Sequence, residues 1–317
     1  MSVRAWWAQV MRKPPPHAYF VISAVFHYLG PALAVLLFAR IAPLGVAWLR
    51  IATAAVVFAA WRRPWRLLRS PATPPGRSGP AQPPATLPGR AHDHRRALIT
   101  LGATLAAMNC VFYLAIDRLP LATVGAIEFL GPVMLATIGI RGARNVAALA
   151  LALAGVALLT KVQIGGDPLG VALAFGNCAF FVAYVALGSR IAADGGAAGI
   201  DRLGAAMLVA GVLTLPVGIV PASHAFTRPA LLGAAIGVGV CSSVIPYVCD
   251  QLAMARLPRA TFALMLSLLP ATATLIGIVV LGQLPTPADG VGIALVIMGV
   301  AVHRDYPTEP PRAAVPE

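Results

Sequence analysis

Glu128 is a carboxylate set alone in an apolar run, GAIEFLGP. It lies eight residues after Pro120, hence about 12 Å along a helix from that end. An ionisable group at such depth in a bilayer costs roughly 3 kcal/mol or more unless it is paired or hydrated, so it normally faces a cavity. Arg50, seven residues after Pro43, reaches a similar depth on a different segment. Opposite charges at one depth leave three roles open. They can form a structural ion pair, Glu128 can hold a proton or an ammonium group, and Arg50 can hold a carboxylate. Arg50 can also snorkel toward a helix end. His27, near the middle of the first apolar segment and just before Gly30-Pro31, titrates near neutral pH and is a candidate for proton coupling. A hydrogen-bonded structural histidine is the rival reading.

Weaker signals surround these three. Asn109 and Tyr113 are four apart, and Asn177 and Tyr184 seven apart, so each pair shares one helix face. Ser242, Ser243, Pro246 and Tyr247 crowd one segment. Each polar residue alone is as well explained as glue between membrane helices, with Gly233 and Gly237 allowing close approach. Their convergence from three segments points to a polar cavity lined by Asn109, Tyr113, Asn177, Tyr184, Ser243 and Tyr247. Gly30, Pro31, Pro132, Pro246 and Pro270 are candidate hinges or helix breaks, because they interrupt helical hydrogen bonding at membrane depth. Asp250 and Asp117 read as helix-end residues. No zinc-protease, phosphate-loop or nucleophile-elbow motif is present. The four cysteines lie in apolar runs without metal-ligand spacing and read as small buried hydrophobes. Neither an enzyme, a metal nor a cofactor is expected.

The elements that must position these groups follow from composition. Of 317 residues, 59% are apolar and 11% charged, with a mean hydropathy of +0.81. A soluble domain has about 25% charged residues, so the fold class is an all-α integral membrane protein. Ten apolar segments are legible, near 18–38, 42–61, 97–116, 121–140, 145–160, 168–188, 203–221, 229–251, 260–281 and 288–303. The fifth and tenth are short. With the N-terminus inside, 19 of the 24 Lys and Arg fall in inside segments, four in outside turns, and Arg50 within a segment. That bias predicts both termini cytoplasmic. It also turns the net charge of +13 into topology determinants and contacts for anionic lipid, leaving nothing for nucleic acid to explain. Residues 1–17 form a basic tail without a signal-peptide core. Residues 62–96 read as a disordered cytoplasmic linker, rich in proline, and residues 304–317 as a loose tail.

Residues 114–140 return at 252–278, with 12 of 27 positions identical, among them Arg118/Arg256, Pro120/Pro258, Pro132/Pro270 and Gly139/Gly277. A match at one fixed offset is an internal duplication. Five segments per half place the two copies in opposite orientations, giving ten helices as two inverted five-helix repeats, 18–161 and 162–303. Inverted halves with a site near the midplane are a recurring plan of secondary transporters. Where the first copy has Glu128, the second has Leu266.

With GAIEFLGPVMLA in the fourth segment and LMLSLLPATATLIGIVVLG in the ninth, the chain resembles the EamA family of the drug/metabolite transporter superfamily. MNCVFYLAIDRLPLATVGAIEFLGP and SSVIPYVCDQLAMARLPRATFALMLSLLPA are most similar to its threonine/homoserine exporter group. The resemblance spans about 18–303. It implies a bacterial-type inner-membrane exporter of small metabolites, driven by proton antiport, with small-molecule substrate, protons and lipids as partners, as a monomer or homodimer. Two positions depart from the family pattern: Leu269 replaces a glutamate before the ninth-segment proline, and Gln283 replaces the glutamate of an LGE ending. The expected function is export of amino acids like threonine or homoserine by alternating access. Export of other amphipathic compounds or drugs is the alternative, and a lipid scramblase or an intramembrane enzyme is a more distant one.

Overall fold

The computed structural model describes residues 15–69, 88–137, 143–164, 167–191, 196–254 and 269–302. Among them all regular structure is helical. The long helices are α1 (Pro16–Leu37), α2 (Pro43–Arg62), α3 (Pro88–Ile116), α4 (Leu121–Thr137), α5 (Ala143–Ile164), α6 (Pro168–Ile191) and α7 (Gly196–Gly218). Then come α8, α9 (Leu269–Leu281) and α10 (Pro287–Val302). α8 runs Pro229–Gly239, takes a π turn at Val240–Val244 and resumes as Ile245–Met254. Six of these helices start on proline. Its fixed φ suits the first helical position, where a missing N–H costs nothing.

Six helices are long and apolar enough to cross a membrane, judged by length and composition: His17–Leu37, Pro43–Arg62, Arg95–Ile116, Pro168–Leu187, Gly199–Gly218 and Pro229–Asp250. Four more, Leu121–Gly131, Val146–Leu158, Leu269–Leu281 and Pro287–Gly299, are apolar but shorter. The ends of the expected 62–96 linker are helical. A short helix covers Trp65–Arg69, and α3 starts at Pro88, nine residues before its apolar stretch. The polar turns at the start of α3 continue a helix already nucleated by its apolar part, and propagation is easier than nucleation. Residues 70–87, the N-terminal 14 and the C-terminal 15 lie outside the described residues, as do Arg256, Pro258 and Leu266.

Helix packing has a regular plan. α1 packs on α8 and α9, while α6 packs on α3 and α4; α2 packs on α8, while α7 packs on α3. Each of these contacts becomes the other when α1–α5 are exchanged for α6–α10. The pairs α2–α7, α4–α9 and α5–α10 map onto themselves. Close crossings use glycine. A Cβ on Gly155 would lie 2.5 Å from the Gly292 carbonyl, and one on Gly299 2.7 Å from that of Ala148, so α5 and α10 meet almost backbone to backbone. Gly233 and Gly237, expected to serve such contacts, face open space instead. In α8 the tight glycine is Gly239, where a Cβ would lie 2.6 Å from Cβ of Thr53.

Candidate functional site

Arg50 sits on the buried face of α2, with 6% of its surface exposed. Its Nε–H donates to Ser243 Oγ at 2.7 Å and its Nη2–H to the Ser242 carbonyl at 2.7 Å. Both acceptors belong to the π turn of α8. The guanidinium carbon stands 5.5 Å from the centroid of the Tyr113 ring, a cation–π contact from α3. Tyr113 in turn meets Phe38 and Phe112 edge-on.

Glu128 on α4 is 4% exposed, and its Oε2 has no hydrogen-bond partner. It lies within electrostatic range of Arg50, Tyr28 and Tyr247. The ion pairs of the described residues, however, lie elsewhere, at Arg62–Asp201 and Arg118–Asp167. Arg50 thus spends its Nε–H and one Nη2–H on α8 rather than on Glu128. Asn177 of α6 lies close to Glu128, fully buried, with neither its Oδ1 nor its Nδ2 in hydrogen-bonding geometry. The Tyr28 hydroxyl of α1 is likewise buried without a partner. It lies over Gly125, one turn before Glu128, where a Cβ would come within 3.1 Å of it. The Tyr113 hydroxyl is a third orphan. Buried polar atoms are nearly always satisfied by protein or water. Several orphans gathered around one arginine and one carboxylate mark a place for water or a polar ligand.

The other expected residues are placed as follows. Ser243 holds Arg50. Tyr247 is buried within electrostatic range of Arg50, Glu128 and Tyr113. Its ring lies 6.3 Å from that of Tyr184, which lies 6.0 Å from Phe181, itself 6.0 Å from Phe129. An aromatic row therefore runs from α8 through α6 to α4. His27 is half-buried, edge-on to Tyr28 at 5.2 Å and within electrostatic range of Arg50. Asn109 is buried and donates from Nδ2 to the Leu105 carbonyl of its own helix at 2.7 Å. Asp250, expected at a watery helix end, is half-buried and within electrostatic range of Tyr184 and Tyr247.

Of the expected breaks, Gly30-Pro31 and Pro132 lie inside uninterrupted helices. Membrane helices tolerate such prolines because neighbouring helices, hydroxyl side chains or water can satisfy the backbone groups set free. Gly30 acts instead through its size, with its backbone pressed directly against Ser242. The change of register occurs at Val240–Val244, two residues before Pro246, and Pro270 lies in the first turn of α9 as described. Tyr28 gave no signal in the sequence beyond its neighbour His27. The sequence marks Ser242 as one of a polar crowd, but the group that Arg50 uses is its backbone carbonyl, for which the one trace is a proline four residues on.

Asp167 works outside the helices that carry this group. Its Oδ1 accepts from the Gly170 N–H at 2.8 Å, capping α6, and its Oδ2 accepts from Arg118 at 3.1 Å. These two partners, the backbone N–H first, hold its carboxyl below the usual aspartate range.

The EamA-like transporter family profile matches residues 168–303, the span from α6 to α10. The threonine/homoserine exporter RhtA of Salmonella typhimurium is 30% identical over 273 residues, covering 84% of each chain. The threonine/homoserine exporter RhtA of Escherichia coli K12 is 29% identical over 295 residues, 90% of this chain and 91% of its own. A solved crystal structure, 18% identical, aligns over 90% of this chain and 96% of its own with a TM-score of 0.57, so the fold has been seen before. A multi-pass helical chain with a buried arginine–carboxylate group and relatives of this length is a transporter rather than an enzyme, and it belongs to the EamA-like transporter family.

Proposed function

We propose that the chain exports small amino acids of the threonine/homoserine type across the inner membrane by alternating access, exchanging substrate for a proton at Glu128. The observation that carries this reading is the enclosure of Arg50 and Glu128, on α2 and α4, among unpartnered atoms of Tyr28, Tyr113 and Asn177. A zwitterion matches it group for group. Its carboxylate takes the free N–H groups of Arg50, and its ammonium takes the vacant Glu128 oxygen. Glu128 holds either that ammonium or a proton, not both. A proton arriving from outside therefore displaces the substrate outward, and loss of the proton inward readies the carboxylate for the next molecule. A ligand shifts such an equilibrium only through its differential affinity for the two states, and competition for one carboxylate supplies that difference.

Two further observations support the plan. The packing pairs that interchange between α1–α5 and α6–α10 are those expected of ten spans in two inverted halves. The arginine and lysine bias favours cytoplasmic termini. The names of the relatives favour hydroxylated amino acids as cargo. Counterflow of labelled L-threonine and L-homoserine into proteoliposomes tests the exchange. Glu128→Gln should abolish the response of transport to an imposed pH gradient, and an undiminished response in that variant would remove Glu128 from the mechanism.

A further inference from the structure

The segment that holds Arg50 has a feature that the exchange reaction alone does not require. In an α-helix the carbonyl of residue i accepts from the N–H of residue i+4. Ser242 lies in the π turn, where the Ile245 N–H reaches five residues back to the Val240 carbonyl; the α-helical donor for Ser242 would be Pro246, which has no N–H. A released carbonyl at membrane depth needs another donor, and Arg50 Nη2 supplies it at 2.7 Å. The π turn at Val240–Val244 rotates the neighbouring Ser243 so that its Oγ meets Nε, also at 2.7 Å. Such turns recur at functional sites.

The turn is fixed from both sides. Gly30 of α1 is pressed against Ser242, and Gly239 against Thr53 of α2. Within the turn Ser242 Oγ donates back to the Val238 carbonyl at 2.6 Å, a bond that bends helices. Ser23 of α1 donates to the Pro246 carbonyl at 3.3 Å.

These contacts leave one edge of the guanidinium open. Nε and one Nη2 hydrogen are spent on α8. The end-on pair, Nη1–H and the second Nη2–H, has no hydrogen-bond partner among the described residues. That pair has the geometry of a bidentate carboxylate site.

We infer that Pro246 and the π turn position Arg50: by withholding one N–H they free the Ser242 carbonyl to clamp the side edge of the guanidinium, so that its end-on edge is held ready for the carboxylate of the ligand. This rests on the reading of Arg50 as the carboxylate anchor. Pro246 is on this account a positioning residue and not merely a hinge.

The test is competition against labelled L-threonine counterflow in proteoliposomes of the full chain, by unlabelled L-threonine and by L-threonine amide, which lacks the carboxylate. The unaltered protein should prefer the acid. Pro246→Ala returns an N–H to Ser242, and the acid should then compete about tenfold less well while the amide is unchanged. Ser243→Ala, which leaves the backbone intact, should give the same selective loss, and it decides the matter if the proline variant does not reach the membrane. An equal shift for acid and amide, or no shift for either, overturns the positioning role while leaving Arg50 as anchor. An unaltered protein that does not distinguish acid from amide overturns the anchor, and this inference with it.

Discussion

Four prolines within the described helices each remove the N–H donor of the carbonyl four residues earlier. Pro31 does so at His27, Pro132 at Glu128, Pro246 at Ser242 and Pro216 at Val212. Val212 is exposed and stands apart, but the other three affected residues belong to one polar group, and the fate of one freed carbonyl is visible in the bond from Arg50 to Ser242. This makes a sharp prediction for Arg50. Lysine keeps the charge but presents a point ammonium in place of a fork. It cannot hold Ser242, Ser243 and a ligand carboxylate together. Arg50→Lys should lose one charge-assisted bond to the ligand, about 2 kcal/mol, read as a roughly thirtyfold rise in KM for L-threonine with protein abundance unchanged. A KM within twofold of the unaltered protein would show that the ligand does not use the fork. The sequence alone brought Arg50 and Glu128 to one depth, because counting residues from a helix end suffices for that. It did not reveal that Arg50 turns to α8, because its partner is a backbone carbonyl and any residue type carries one. The proline at 246 was the legible trace, and it reads as a hinge until the donor that replaces its N–H is seen. Asn109 shows a second choice that the sequence leaves open. Its amide shares a face with Tyr113 but donates to its own helix, a choice that spacing cannot decide.

Helix positions were the most legible level, since apolar length and initiating prolines both mark them. Helix ends and irregularities were less so. α3 starts at Pro88, inside a stretch whose composition resembles linker. The π turn of α8 depends on contacts from α1 and α2 that no local pattern encodes. Asp167-Pro168 is a start signal that the sequence does carry, an N-cap residue followed by proline at N1. Asp167 does two jobs there, and substitution separates them. Asn keeps the cap and loses the ion pair, while Ala loses both. Thermal stability should fall in the order unaltered protein, Asp167→Asn, Asp167→Ala, by scanning fluorimetry in detergent; equal melting of the two variants would show that the cap is idle. The pH dependence has a definite sign. The folded-state carboxyl lies below its ordinary range, so its contribution is present above the unfolded value of about 3.9 and fades only as pH falls through the lower folded value. The gap between the unaltered protein and Asp167→Ala should therefore be constant across neutral pH and close only in strong acid.

At the scale of the whole molecule, the ties between α1–α5 and α6–α10 sit at both ends of the bundle. At one end Arg118 pairs with Asp167, and the Leu121 N–H at the start of α4 donates to Gln283 Oε1 after α9 at 3.1 Å. Gln283 stands where the family resemblance leads one to expect glutamate; its neutral amide oxygen accepts this bond, more weakly than a carboxylate would. At the other end Arg62 grips Asp201 with two bonds of 2.6 and 3.1 Å, and Arg144 donates to the Val302 carbonyl at 2.8 Å. A molecule that opens alternately must break one set while keeping the other. The Arg62–Asp201 pair is partly exposed, about 30% on each side chain, and such pairs contribute up to about 1 kcal/mol. Under the proposed alternating access, Asp201→Asn should therefore shift the balance between the two open forms by no more than about fivefold. Cys249, half-buried on α8, lies toward the Arg62–Asp201 end and reports on it. With Cys110, Cys178 and Cys241 replaced by alanine, Asp201→Asn should raise the rate at which a polar maleimide labels Cys249. Asp167→Asn, which loosens the opposite end, should lower that rate, because opening there closes the bundle around Cys249. Opposite signs are the signature of one equilibrium with two latches. Changes of the same sign in both variants would mean that the pairs merely stabilise the bundle and that access at the two ends is not linked through them.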